Sequence, residues 1–328
     1  MTATVNNFKA DRFAIAPMID VTNSAFRRFA RILTKRSMLY TEMIAAEALV
    51  HGKLNLIAYD KVELPCVLQL GGSDPKKLAQ AAKIGEDQGY SAINLNAGCP
   101  SDKVQSGSFG AILMKTPEVI AKAVEAMQEA VKIPVTVKTR IGVDEQDSFE
   151  DTLKIVKTIY DSGCRHIILH ARKAWLNGLS PKENRTVPPL DYERVYAMRE
   201  LFPDLYMTIN GGILTIAECL AQLQKVDAVM LGRAIIDNPY LLAEVDSKIY
   251  LEESAVKSRE QVLEETVDLC ENFMAEGHKF HHLAQHALNL FTGCHGARRY
   301  RQHLSLTMHK RDANPQLLLD AYKKMQEA

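Results

Sequence analysis

With 328 residues and 47% apolar side chains, the chain is long enough for one large domain or two smaller ones around a sizeable core. Forty basic residues balance forty acidic ones, so net charge by itself points to no nucleic-acid partner. No apolar run of about 18 residues or more occurs, which argues against a membrane-spanning helix, and the opening MTATVNNFKADRF lacks the basic-then-apolar order of a secretory leader. From the N-terminus, short apolar runs predict strands at Phe13–Ala16, Met38–Thr41, Cys66–Leu70, Ala92–Leu95, Val135–Lys138, His166–Leu169, Tyr206–Ile209 and Ala228–Leu231. Amphipathic stretches lie between them, such as Pro75–Gln88, Pro117–Val131 and Ser148–Asp161. Pro75 and Pro117 sit where first-turn prolines belong, and Ser148 is placed to cap its helix.

Eight strand–helix alternations over about 240 residues predict an α/β fold, a (β/α)8 TIM barrel. A doubly wound open sheet would carry a glycine-rich dinucleotide fingerprint after its first strand, and Ala16-Pro-Met-Ile-Asp20 is not one. In such a barrel the chemistry gathers where the strands end. Here the strand ends carry Pro17 and Met18, Glu42, Gln69, Asn96 with Cys99, Lys138 with Arg140, His170, Asn210 with Gly211 and Gly212, and Gly232 with Arg233. Strand starts are bland by comparison. The turns Asn210-Gly-Gly-Ile213 and Gly232-Arg233 follow strands seven and eight. These are the usual phosphate site of a barrel, where backbone N–H groups and a helix start meet an anion and glycine permits close approach.

After Tyr240 only helical periodicity remains, so the expected division is a barrel over 1–240 and a helical domain over 241–328. The helical part splits by charge. Leu241–Gly277 holds ten acidic and three basic residues. His278–Arg311 holds no acidic residue, six Lys or Arg, and seven of the ten histidines. Arg298 and Arg301, three apart, share a helical face. A solvated face is the ordinary reading of a charge run, but total exclusion of acid over this stretch fits a locally anionic partner such as RNA phosphate.

Six cysteines, Cys66, Cys99, Cys164, Cys219, Cys270 and Cys294, are scattered with no CxxC pair. That argues against a zinc site or disulfide framework, and sets the expectation of a reducing, cytoplasmic setting without bound metal. The Asn184-Arg185-Thr186 sequon is then a chance match. Cys66, Cys164 and Cys219 sit in or beside apolar runs and read as core fillers. Cys99 does not, because Gly98, Pro100, Ser101 and Asp102 mark a loop. A thiol at the mouth of a strand is a candidate acid or nucleophile. The loop continues through Gly107-Ser-Phe-Gly110, long and glycine-punctuated in the manner of a lid. Lys138, inside an apolar strand, needs a partner or a task. It either stabilises negative charge on a reduced flavin or forms a Schiff base, and its position alone leaves both open. His170 ends a strand beside a loop of about twenty residues holding the only tryptophan, Trp175, and several basic residues. A long loop of this kind is usually functional, and Trp with Arg favours a stacked base or a phosphate.

The motifs Ala16-Pro-Met-Ile-Asp-Val-Thr22, Tyr40-Thr-Glu-Met43, Leu68-Gln-Leu-Gly-Gly72 and Asn94-Leu-Asn-Ala-Gly-Cys-Pro-Ser-Asp102 are each weak alone. With His170-Ala-Arg-Lys-Ala-Trp175, Gly178-Leu-Ser-Pro-Lys-Glu-Asn-Arg185, Ile209-Asn-Gly-Gly-Ile213 and Gly232-Arg233 they form a specific order and spacing. In that order the whole chain resembles the tRNA-dihydrouridine synthases, and the segments around Trp175 and Glu183 resemble the A subgroup, which modifies uridines 20 and 20a of the tRNA D-loop. The resemblance implies bound FMN contacted by Pro17, Met18, Gln69, Lys138 and His170, with its phosphate at Asn210, Gly211, Gly212, Gly232 and Arg233. It implies Cys99 as proton donor, Asn96 against the target uridine, and Glu183, Arg185, Arg298 and Arg301 at positions that contact tRNA or distinguish subgroups. It further implies NADPH as co-substrate, hydride from flavin N5 to uracil C6, a proton from Cys99 to C5, and a monomer. An ordinary thiol, with a pKa of about 8.5, is mostly protonated at neutral pH, which suits an acid. The chain departs from the family pattern at Ala97 and Thr139, where Val and His are commoner. The competing readings are a dihydroorotate-type flavoenzyme acting on a free pyrimidine, a lysine aldolase, and a non-catalytic RNA-binding module. The first needs no basic helical tail, the second would be colourless, and the third needs no thiol or phosphate turns.

Overall fold

The computed structural model describes residues 11–101, 107, 109–253 and 255–327. Within them lie strands β1 (Phe13–Ile15), β2 (Leu39–Ala45), β3 (Cys66–Gly71), β4 (Ala92–Asn96), β5 (Val135–Arg140), β6 (His166–His170), β7 (Tyr206–Asn210) and β8 (Ala228–Leu231). Neighbours pair in parallel in the order β1-β8-β7-β6-β5-β4-β3-β2. The ring closes beside β2: Ile15 N–H donates to Met38 C=O, and Met38 N–H to Phe13 C=O, both at 2.9 Å. This is the expected (β/α)8 barrel. The helices start as their sequences dictate. Asp74 caps Pro75–Asp87, a first-turn proline opens Pro117–Ala130, and Ser148 and Asp151 form a capping box on Phe149–Asp161.

Several strands run one or two residues past their apolar runs, to Asn96, Arg140, His170 and Asn210. An apolar run reports burial, whereas the ladder continues wherever backbone partners remain: Asn96 pairs with Lys138, and His170 with Arg140 and Asn210. The functional side chains are therefore set on the rigid sheet. Period-two alternation then decides which way they face. Phe13, Ile15, Leu68, Leu70, Ile93, Leu95, Val137, Ile167 and Leu169 pack outward against the helices. Ala14, Ala16, Val67, Ala92, Ile168 and Met230 fill the lower interior. In the same register Gln69, Asn94, Asn96, Lys138, Arg140, His170 and Asn210 face inward above them.

Beyond β8, residues 239–250 still pack on the base of the barrel. Asp246 accepts from Thr34 Oγ1 at 2.5 Å and from Lys35 N–H at 2.7 Å, and the Tyr250 hydroxyl accepts from Phe13 N–H at 3.1 Å. A helical array follows, with its longer helices at Arg259–Ala275, Ala297–Thr307 and Gln316–Gln326. It docks on the first barrel helix, Ser24–Leu33, where Arg28 Nη1 meets both oxygens of Glu276 at 2.8 and 3.0 Å. It also reaches the end of the barrel where the strands finish: Asn289 Nδ2 donates to Ile236 C=O at 2.9 Å and Thr292 Oγ1 to Asp237 C=O at 2.8 Å. Among the described residues no helix is long and apolar enough to cross a membrane.

Candidate active site

A cleft of about 490 Å3 opens at the C-terminal ends of the strands. It gathers residues predicted from every part of the barrel: Pro17, Met18, Gln69, Asn96, Cys99, Lys138, His170, Arg185, Asn210, Gly211, Gly212, Gly232 and Arg233. Glu183, Arg298 and Arg301 are not among its lining residues. Asp102 and most of the expected lid lie outside the described residues. Next to them, the Phe109 ring rests against Gly71, where an added Cβ would come within 2.7 Å of it.

Cys99 is half-buried in a turn held from the strand side. Asn96 Oδ1 accepts the N–H groups of Gly98 and Cys99, at 3.1 and 3.0 Å. Asn96 Nδ2 donates to Gln69 Oε1 at 3.0 Å, Gln69 Nε2 to Asn94 Oδ1 at 2.8 Å, and Asn94 Nδ2 to Thr136 Oγ1 at 2.8 Å. This relay of buried amides pairs groups that would each cost about 1–3 kcal/mol if left unpaired. It also holds the Asn96 amide in one orientation, with a second N–H beyond the one given to Gln69. On the other side Ala111 N–H donates to Cys99 C=O at 2.8 Å. The thiol donates weakly to Ser101 Oγ, 3.7 Å away. Behind the Cys99 turn, the Thr139 hydroxyl donates to the Ala97 carbonyl at 3.2 Å.

Lys138 Nζ donates to Asn210 Oδ1 at 3.1 Å, and Asn210 Nδ2 donates to Met230 C=O at 2.7 Å. Burial, aided by the nearby Arg140 charge, brings the Lys138 ammonium down to about 7. Burial and then the charges of Arg140, Lys138, Arg172 and Arg233 hold His170 well below its ordinary value, so the imidazole is neutral at physiological pH. The β1 loop presents Pro17 and Met18 because Thr22 clasps Met18, accepting its N–H at 3.0 Å and donating to its C=O at 3.2 Å. Glu42 supports the same loop by accepting Asp20 N–H at 2.6 Å.

The turn after β7 needs its glycines. Gly211 and Gly212 have φ of +112° and +73°, and an added Cβ would stand 2.4 Å from His170 Cδ2 and from Leu190 Cδ1 respectively. The Tyr192 hydroxyl donates to Gly211 C=O at 2.7 Å. Around the turns, Lys138, Arg140, Arg185 and Arg233 line the cleft against one carboxylate among the described residues, Asp237. Among the described residues the Nε atoms of Arg172 and Arg185 are buried without a partner, and Arg185 lines the cleft. An orphaned guanidinium donor in a cleft lined by several cations, beside two positive-φ glycines, fits the phosphate of FMN.

The loop after β6 folds on itself. Asn184 is completely buried; it accepts Trp175 N–H at 2.7 Å and donates to the carbonyls of Trp175 at 2.9 Å and Leu179 at 3.1 Å. That consumes the amide of the sequon. Lys173 Nζ lies 4.1 Å from the Trp175 ring centroid and 3.0 Å from Asp147. Glu183 spends its carboxylate on the Ser180 hydroxyl at 2.6 Å and N–H at 2.8 Å, which hold its carboxyl below the usual range. Arg140, buried at the end of β5, donates to Gly98, Lys173 and Asn184 carbonyls. The roles of Arg140 and Asn184 went unread in the sequence. Thr136, Lys138 and Arg140, polar at every second position of a strand, were the available signal for the first; Asn184 left none. Arg298 is exposed and Arg301 half-buried on the helix Ala297–Thr307, and neither makes an ion pair among the described residues.

A family model described as dihydrouridine synthase matches residues 14–327. A tRNA-dihydrouridine(20/20a) synthase of Shewanella oneidensis is 47% identical over 96% of this chain and 94% of its own length. Proteins of the same name from Synechocystis and Escherichia coli are each 48% identical, over 98% and 96% of this chain and 96% of theirs. The inward-facing strand ends and the full-length match lead to one conclusion: the chain belongs to the dihydrouridine synthases, a family of flavin-dependent enzymes.

Proposed function

We propose that this enzyme reduces uridine to 5,6-dihydrouridine in the tRNA D-loop at positions 20 and 20a, with FMN as its flavin and NADPH as the reductant. The observation that carries the reading is a thiol, Cys99, on the same cleft that is lined by Lys138, Arg185 with its orphaned Nε, and the paired glycines. FMN, when bound there, would supply the hydride for uracil C6. The protein has the remaining tasks. Cys99 delivers a proton from Sγ to C5, a general-acid step worth about 10²–10⁴ in rate. Its turn is held by Asn96, which lines the cleft and would meet the target uridine. Lys138 holds a proton at Nζ beside Asn210 and offers positive charge where the flavin ring gains negative charge. Neutral His170 offers an N–H without adding charge. Asn210, Gly211, Gly212, Gly232 and Arg233 would seat the phosphate, and Pro17, Met18 and Gln69 would border the ring.

A uridine inside folded RNA must leave its stack to reach this depth, at a cost of a few kcal/mol. The loop bearing Trp175, Glu183 and Arg185 beside the cleft, and the face bearing Arg298 and Arg301, supply contacts that offset it. In this reading the barrel over 1–240 does the chemistry, and the helical part over 241–328 grips the RNA. The enzyme acts as a cytoplasmic monomer without a metal.

The test is turnover. Purified protein with FMN, NADPH and an unmodified tRNA transcript should yield dihydrouridine at 20 and 20a, read by nuclease digestion and mass spectrometry. Turnover of free uridine or orotate with none on tRNA would overturn the reading in favour of a free-pyrimidine flavoenzyme.

A further inference from the structure

We infer that Arg140 and Asn184 form one positioning unit that ties the turn carrying Cys99 to the loop carrying Trp175 and Arg185, so that the place of the thiol depends on the order of that loop. The inference rests on the reading of Cys99 as proton donor. Among the described residues the Cys99 turn is held by Ala111 N–H on Cys99 C=O at 2.8 Å and by two side chains. Asn96 grips the N–H groups of Gly98 and Cys99 from the sheet. Arg140 Nε grips Gly98 C=O, 3.0 Å away, from the opposite side. The same guanidinium sends Nη1 to Lys173 C=O at 3.0 Å and to Asn184 C=O at 2.9 Å. One planar group thus bridges the loop after β4 and two distant points of the loop after β6. An ammonium has no such fixed fork.

Of the two far anchors, the Lys173 carbonyl sits beside Ala174, which is bridged to Val143, and the Asn184 carbonyl is placed by the hold on its own side chain. No strand or long helix runs through this loop; it has only the short 3-10 turn Glu183–Arg185. The buried Asn184 amide supplies its closure, to Trp175 on both N–H and C=O and to Leu179 C=O. The Asn184 side chain orders the loop, and its backbone carbonyl passes that order to Arg140. Arg140 is only 4% exposed and has no carboxylate partner among the described ion pairs. A buried guanidinium satisfied by carbonyls of two different loops is a directional tie, and a filler of equal volume would not make it.

The variant Asn184→Asp keeps the shape and the acceptor for Trp175 N–H but loses the donations to carbonyls. In the flavin-loaded, full-length enzyme, iodoacetamide alkylation read peptide by peptide should change at Cys99 by about fivefold or more. Cys294 should react as in the wild type, and the buried Cys66, Cys164, Cys219 and Cys270 should stay protected. The rate of dihydrouridine formation should fall by at least about tenfold, since misplacement of about 1 Å costs on that scale or more, while flavin reduction by NADPH is unchanged. Arg140→Lys combined with Asn184→Asp should cost less than the two separate losses added together, because both cut one tether. Unchanged Cys99 alkylation in Asn184→Asp, or additive losses in the pair, overturns the inference. If the buried cysteines also react, Arg140→Lys decides by the same comparison. The alkylation readout needs no turnover, so it judges the tether even if Cys99→Ala proves that the thiol is not the acid.

Discussion

Lys138 at the end of β5 and Asn210 at the end of β7 meet across β6, Nζ to Oδ1 at 3.1 Å. The ammonium is thereby aimed into the cleft beside the glycine turn, in a place that brings its pKa down to about 7.

The sign of the resulting pH effect follows. Without ligand, Lys138 is about half protonated near pH 7. An anionic flavin favours the charged form, so binding above pH 7 takes up a proton. Affinity for FMN should therefore fall from pH 7 to pH 9, by at most about tenfold per unit. Fluorescence-quenching titrations across that range measure it. Lys138→Met should bind more weakly at pH 7 and show little slope. A wild-type affinity flat to pH 9 would place the Lys138 charge away from the flavin.

Cys99→Ala should keep its flavin and its reduction by NADPH, which need no thiol. Dihydrouridine formation in single turnover should drop by about 10²–10⁴. Cys164→Ala is the control, since Cys164 is wholly buried beneath the sheet. It should cost about 1 kcal/mol in a denaturant melt and leave the rate alone. Near wild-type turnover by Cys99→Ala would remove the thiol from the mechanism.

Arg298→Ala with Arg301→Ala should weaken tRNA binding. Each lost phosphate contact should flatten the slope of log affinity against log salt by about 0.7–0.9. Filter binding between about 50 and 200 mM salt covers the useful range. Flavin reduction should be untouched, because neither arginine lines the cleft. An unchanged slope would make this face a solvated surface only.

Much of the molecule was legible before its structure. The eight apolar runs, the prolines at helix starts, and Ser148 as a cap are local patterns, and each stands where expected. The placement of reactive residues at strand ends was legible too, because the barrel puts every such end on one face. Less legible was how far each strand ran. Asn96, Arg140, His170 and Asn210 are polar, so the apolar runs stop short of them, yet their backbones complete the ladders.

Local chemistry and spacing therefore determined the barrel, the thiol, the glycine turns and the acid-free helical stretch. Tertiary structure alone decided what holds them in place. Asn96 reached the Cys99 turn within three residues, but its other partner, Gln69, is 27 residues away. Arg140 finds Gly98 at a separation of 42 residues and Asn184 at 44. Glu183, expected at a position that contacts tRNA or distinguishes subgroups, also holds Ser180 through its carboxylate. A hydrogen bond depends on atoms meeting within about 3 Å at a suitable angle. Periodicity records which face of an element is buried, and it carries no trace of which distant carbonyl a buried guanidinium will meet.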